Sequence, residues 1–242
     1  MTYSRDAGPG KRFFVFAAGL LAAAGMVQAE TLEPTAADVA YGPHERNVLD
    51  FWQAEGDRPR PLLVFIHGGG WVGGDKGRQS PGRLRTFLDD GISVAAINYR
   101  LTPESPLPAP VHDAARAVQF LRTKANSWNI DKGRIALTGG SAGACTSMWI
   151  LLHDDLADPQ ADDPVEREST RVSAAAVHAG QTSIDPHVIR EWLGPKVLEH
   201  RMINYAVGEE TIESALDNYE QHRELYQEFS PYNHLDAGDP PL

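Results

Sequence analysis

The sequence predicts an α/β fold with a doubly wound, mostly parallel sheet, on three observations. Short, wholly apolar runs recur at residues 61–66, 91–97, 134–138 and 171–177, without the alternation of a half-exposed strand. Helical periodicities separate them. Small-residue turns, HGGG at 67–70 and GGSAG at 139–143, directly follow the first and third runs, where sheets of this kind place their ligand loops.

Taken in order, the chain begins with Lys11 and Arg12 ahead of the uncharged stretch FFVFAAGLLAAAGMV, which ends in VQAE with small residues at the two positions a signal peptidase reads. Residues 1–29 read as a secretory signal peptide cut after Ala29, because the apolar run is shorter than the roughly 20 residues of a spanning helix. The chain is therefore expected to be exported, periplasmic or secreted, with no stable membrane insertion after cleavage. Residues 30–242 read as one globular domain, since a 242-residue chain that is 42% hydrophobic carries no compositional bias towards disorder or coiled coil.

RNVLDFWQA alternates Val48, Asp50 and Trp52 against Leu49 and Phe51, which suits an antiparallel edge strand ahead of the parallel ones. Between the second and third apolar runs, PVHDAARAVQFLRTKAN places Val111, Ala114, Ala115, Val118 and Leu121 on one helical face, with Pro110 in the first turn. The acidic stretch at 153–168 reads as a solvated loop whose prolines break a calcium-ligand spacing. After residue 180 the pattern turns helix-prone and charged with no further strand, so residues 181–229 are expected to form a helical insertion over the sheet.

Net charge is −11; the first 29 residues hold Arg5, Lys11 and Arg12 against Asp6, so the remainder is nearer −13. So acidic a chain does not suit nucleic acid or an anionic membrane as partner. The single cysteine, Cys145, forms no intrachain disulfide and reads as core packing.

The chemistry concentrates in the two small-residue turns. Gly139-Gly140-Ser141-Ala142-Gly143 fits G-x-S-x-G between a buried strand and a helix, a turn that pushes a serine hydroxyl out above the sheet. The following helix aims its N-terminus at that hydroxyl, so the Ala142 N–H is placed to donate to a developing oxyanion. His67-Gly68-Gly69-Gly70 supplies a second set of closely approaching backbone N–H groups. Neither G-x-x-x-x-G-K-[ST] nor G-x-G-x-x-G is present, so a phosphate loop is not the reading.

HGGGW, NYRL with PESPLPAPVHDA, GGSAG and SPYNHLDAGDPP together resemble the α/β-hydrolase fold, in the carboxylesterase and lipase branch related to hormone-sensitive lipase and to bacterial feruloyl-esterase-like enzymes. The resemblance runs from about residue 41 to the end. It implies a serine hydrolase of carboxylic esters with Ser141 as nucleophile and Gly69, Gly70 and Ala142 as oxyanion donors. His67 would orient the glycine loop, with Gly68, Gly139, Gly140 and Gly143 in support. Tyr99, Arg100 and Asp113 match positions that are mainly structural. The triad of this fold runs Ser, Asp or Glu, then His. In relatives a segment like DPPL leads into the strand that carries the acid, so both partners are expected beyond Leu242 and the last strands of the fold are expected to be missing here. Of the histidines present, His178 at a strand end is the least unsuitable substitute base.

The implied substrate is a small-molecule or polysaccharide-linked ester, with no metal and no organic cofactor required. Oligomeric state is not legible, and peptidase and amidase chemistry run on the same machinery. The alternative from another class is an inactive hydrolase fragment that acts as a binding protein; the short chain favours it, and the intact serine turn and glycine loop oppose it.

Overall fold

A computed structural model describes residues 32–242, so the signal-peptide reading of residues 1–29 lies outside the described residues. The elements are β1 (Ala36–Ala40), β2 (Val48–Trp52), β3 (Arg60–Ile66), α1 (Pro81–Asp89), β4 (Ser93–Ile97), α2 (Ala109–Thr123), β5 (Ile130–Gly140), α3 (Ala142–Leu152) and β6 (Ala174–His178). They continue as α4 (Pro186–Leu193), α5 (Met202–Ala206), α6 (Ile212–Asp217) and α7 (Tyr219–Glu228). The six strands make one sheet in the order β1-β2-β4-β3-β5-β6, with β4, β3, β5 and β6 parallel and β1 and β2 antiparallel to their neighbours.

Side-chain alternation sorts the apolar residues to two faces. Leu49, Phe51, Leu62, Val64, Ile66, Ala95 and Ile97 join one buried cluster with residues of α2 and α3. Trp52, Val94 and Ala96 turn to the other face and meet Leu84 of α1. Both faces of the central strands are thus covered, which is why these strands carry unbroken apolar runs. The helical stripe reads out as expected: Val111, Ala114, Ala115, Val118 and Leu121 of α2 are all buried.

Two expectations need correction. Val48–Trp52 is antiparallel as read but is not the edge, because β1 pairs outside it. β1 carries no apolar run, and its ladder is irregular at Asp38, where φ is +51°. Polar contacts hold it instead: the Asp38 N–H donates to Asp50 Oδ1 at 2.9 Å, and Lys76 Nζ bridges Asp38 and Asp50 at 2.8 and 2.7 Å. Buried Asp50 is thereby paired, as a carboxylate inside a sheet must be. The acidic stretch is also more than solvated loop, since Asp163 pairs with Arg116 of α2 at 2.5 Å and the Glu168 carbonyl accepts from Gln119 Nε2 at 2.8 Å.

The loop leaving β4 is fixed to α2 by a bidentate pair. Asp113 Oδ2 accepts from Arg100 Nε at 2.8 Å and from the Arg100 N–H at 2.9 Å, while Asp113 Oδ1 accepts from Nη2 at 2.6 Å. Among the described residues no helix is long and apolar enough to cross a membrane. Asp113 is only 4% exposed at its side chain, so Arg100→Ala strands a buried carboxylate and is expected to lower stability by about 3–5 kcal/mol in urea unfolding.

Candidate active site

β3 and β5 lie side by side in parallel register, Ile66 opposite Gly139, so the turns that follow them open next to each other. The connection from β3 leads to β4 on one flank while β5 occupies the other, and this divergence is the switch point at which sheets of this type form a crevice. The approach of the two turns is close. A Cβ added at Gly68 would stand 2.4 Å from the Gly140 carbonyl oxygen, and one added at Gly143 would stand 2.1 Å from that of Ile66. Glycine at these positions lets the start of α3 and the loop after β3 share one small space.

Ser141 is the single residue between β5 and α3, with φ +54° and ψ −125°. A residue bearing a Cβ holds such a backbone only under strain, of order 1–3 kcal/mol. Two hydrogen bonds fix it: the Ser141 N–H donates to the His178 carbonyl at 3.2 Å, and the Ser141 carbonyl accepts from the Cys145 N–H at 3.0 Å. Ala142 is the first residue of α3, so the positive end of that helix faces the turn.

The glycine loop is braced from several sides. Gly69 takes φ +117° and its carbonyl accepts from the Val72 N–H at 3.1 Å. Buried Trp71 donates from Nε1 to Thr146 Oγ1 of α3 at 3.1 Å. Tyr99 donates its hydroxyl to the His67 carbonyl at 2.7 Å and stacks its ring on the His67 ring, centroids 4.1 Å apart. Arg46 reaches across to give Nε to the Tyr99 carbonyl at 2.8 Å and Nη2 to the Gly74 carbonyl at 3.1 Å. His67 itself is buried and gives Nδ1–H to the Gly68 carbonyl at 2.9 Å. Burial pushes its pKa down to about 4, so the ring is neutral at neutral pH and serves the loop.

Gly69, Gly70 and Ser141 line a cavity of about 760 Å³ whose opposite wall includes His200, Met202 and Tyr205. An adjoining cavity of about 620 Å³, bounded by Trp192, Leu193 and Ile203, shares His200 and Met202 with the first. The sequence reading left this wall unassigned, and it likewise missed Arg46, whose partners lie far along the chain.

No described group completes a triad. His178 packs its ring against Gly140 and donates to no carboxylate among the described residues. His200 accepts the Met202 N–H at Nδ1, 3.3 Å, so a neutral ring carries its proton on Nε2 and has no lone pair there for a hydroxyl proton. The histidine–carboxylate pairs among the described residues are His153–Glu228 and His222–Glu209, and neither lines the Ser141 cavity. Cys145 is fully buried with its thiol pushed up to about 12 by burial, which leaves it a packing residue.

Comparison with known proteins places this geometry in a family. The BD-FAE family model matches residues 49–242. A protein of Mycobacterium tuberculosis named probable carboxylic ester hydrolase LipM is 30% identical over 215 residues, 85% of this chain and 46% of that protein. Esterase LipQ of the same organism is 28% identical over 211 residues, again 85% and 46%. The chain thus spans about half the length of these relatives. Among solved structures, the propionate-bound esterase Est2 of Thermogutta terrifontis has a TM-score of 0.61 at 26% identity, over 84% of this chain and 68% of that one. An acetyl ester-xyloside bifunctional hydrolase from Caldicellulosiruptor lactoaceticus shares the fold, with a TM-score of 0.69 at 24% identity over 88% and 74%. The chain belongs to the BD-FAE family of α/β-hydrolase-fold esterases.

The depressed pKa of His67 makes stability depend on pH. An unfolded chain binds the imidazole proton near pH 6.5 and the native state only near pH 4, so acidification across that window favours unfolding. The His67 contribution is fully present above about pH 6.5 and declines by roughly 3 kcal/mol on the way to pH 4. Urea unfolding at pH 7.5 and pH 4.5 should show a smaller loss for His67→Gln than for the wild type.

Proposed function

We propose that this chain forms part of an exported carboxylic-ester hydrolase that works through an acyl-enzyme on Ser141. The observation that carries the reading is the strained turn at Ser141, facing Gly69 and Gly70 across one cavity at the switch point of the sheet. In the proposed reaction Ser141 Oγ attacks the ester carbonyl carbon, and its proton passes to a base. The carbonyl oxygen becomes an oxyanion that accepts hydrogen bonds from backbone N–H groups of Gly69, Gly70 and Ala142. Collapse expels the alcohol, which takes the proton from the base. Water then attacks the acyl-enzyme and releases the acid.

The base and its orienting acid are assigned to chain that follows Leu242. Two observations support this. No histidine–carboxylate pair among the described residues lines the cavity. The outer edge of β6 is engaged near Leu242, where the Pro241 carbonyl accepts from the Ala175 N–H at 3.1 Å. By strand alternation Val177 turns its peptide groups to that same edge, so continued pairing parallel to β6 would carry the chain towards the Ser141 end of the sheet. A second reading rests on His178, whose ring lies against Gly140, as a substitute base.

Short acyl esters, free or linked to polysaccharide, are the proposed substrates, in keeping with the propionate bound to the Thermogutta esterase and with the acetyl ester-xyloside activity named for the Caldicellulosiruptor hydrolase. Export rests on residues 1–29. A fluorophosphonate probe, with mass spectrometry of the peptide holding Ser141, tests the assignment. The C-terminally extended protein is expected to label at Ser141, and Ser141→Ala to abolish labelling and lower kcat/KM by at least about 10³-fold. Labelling of residues 30–242 alone, lost in His178→Ala, would move the base to His178; labelling elsewhere would remove Ser141 from the mechanism.

A further inference from the structure

At the end of α3 opposite Ser141, three residues from separate elements converge. His153 caps the C-terminus of α3, Glu228 is the last residue of α7, and His234 closes the 3-10 turn Pro231–His234. His153 Nε2 stands 3.0 Å from Glu228 Oε1, and the two histidine rings are 4.8 Å apart, both against Trp149. One ligand atom from each residue lies within 4.8 Å of the others, and all three residues are half-buried.

The hydrogen bonds decide which ring nitrogens are available. His153 Nδ1 lies 2.8 Å from the Asp154 carbonyl, and His234 Nε2 lies 2.6 Å from the Glu228 carbonyl. A carbonyl oxygen only accepts, so each of these nitrogens carries the hydrogen. The neutral rings therefore present lone pairs at His153 Nε2 and His234 Nδ1. A lone pair at Nε2 beside a carboxylate oxygen at 3.0 Å is satisfied either by a proton on Nε2 or by a metal ion bound to both atoms. Metal-bound histidines show the same division, one ring N–H given to a backbone carbonyl and the other nitrogen left for the ion.

The surroundings favour positive charge. The C-terminal ends of two helices, α3 of eleven residues and α7 of ten, meet here with the negative poles of their dipoles. Trp149 secures the frame by donating Nε1 to the Glu228 carbonyl at 2.9 Å. Tetrahedral zinc bonds of about 2.0–2.2 Å set ligand atoms about 3.3–3.5 Å apart, so the widest pair must close by roughly 1.5 Å. Glu228, 43% exposed at its side chain, has the freedom to supply part of that movement.

We propose that His153, Glu228 and His234 form a binding site for a divalent transition-metal ion, zinc by preference, with water completing the coordination. Two imidazoles and one carboxylate are a borderline donor set that suits zinc over calcium or magnesium. The site lies away from the Ser141 cavity. Its effect would be to clamp the end of the insertion to the helix that follows Ser141.

Isothermal titration of the metal-stripped full-length protein with zinc chloride tests this, with thermal unfolding in zinc and in EDTA as a second readout. One equivalent of zinc is expected to bind and to raise Tm. His153→Ala, His234→Ala and the milder Glu228→Gln should each weaken binding by at least about 10-fold, while His222→Ala, in the other histidine–glutamate pair, should bind as the wild type does. No saturable binding would overturn the proposal and leave His153–Glu228 a plain ion pair. Stoichiometric binding unchanged in the His153, His234 and Glu228 variants would overturn it equally, by placing zinc elsewhere.

Discussion

The parallel register of β3 and β5 is the constraint on which the rest of the site depends. With Ile66 opposite Gly139, the ends of the two strands are held a strand spacing apart, and every group that follows must fit within that gap. The start of α3 therefore lies directly on the end of β3, with room at residue 143 for a hydrogen and no more. Ser141 takes up the remaining change of direction in one residue. Its strained backbone persists because the sheet on one side and the buried α3 on the other leave the chain no second path.

The glycine loop obeys a complementary rule. Gly68, Gly69 and Gly70 contribute little packing of their own, so their positions are imposed from outside by larger residues. Trp71 ties the loop to α3, Tyr99 and His67 form a stacked pair beneath it, and Arg46 spans two carbonyls from the antiparallel side of the sheet. Burial of His67 costs that ring its proton affinity and in return keeps it neutral as a fixed donor to the Gly68 carbonyl. A flexible composition is thus made rigid by neighbours.

These rules explain what the sequence revealed. Where the constraint acts on adjacent residues, as in GGSAG and HGGG, the chemistry is written in contiguous letters and the position of the site could be read directly. The parallel strands were legible because burial on both faces demands unbroken apolar runs. β1 was not, because Ala36–Ala40 buries only Ala36 and Val39, and those in part, while Asp50 and Lys76 hold it through polar contacts. Arg46 stayed invisible for a related reason: what gives it a role is a pair of partners dozens of residues away, and an isolated arginine carries no local pattern. The convergence of His153, Glu228 and His234 depends likewise on how α3 and α7 end against each other.

The cavity has walls of two different origins. Ser141, Gly69 and Gly70 belong to strand ends fixed by the sheet, whereas His200, Met202 and Tyr205 come from the segment after β6, among short helices that take no part in strand pairing. Substitutions or insertions in that second wall can reshape the chamber without disturbing a single rung of the ladder. The architecture therefore separates what must be inherited unchanged from what is free to drift, and a lineage carrying it can acquire new ligand preferences at little risk to its folding.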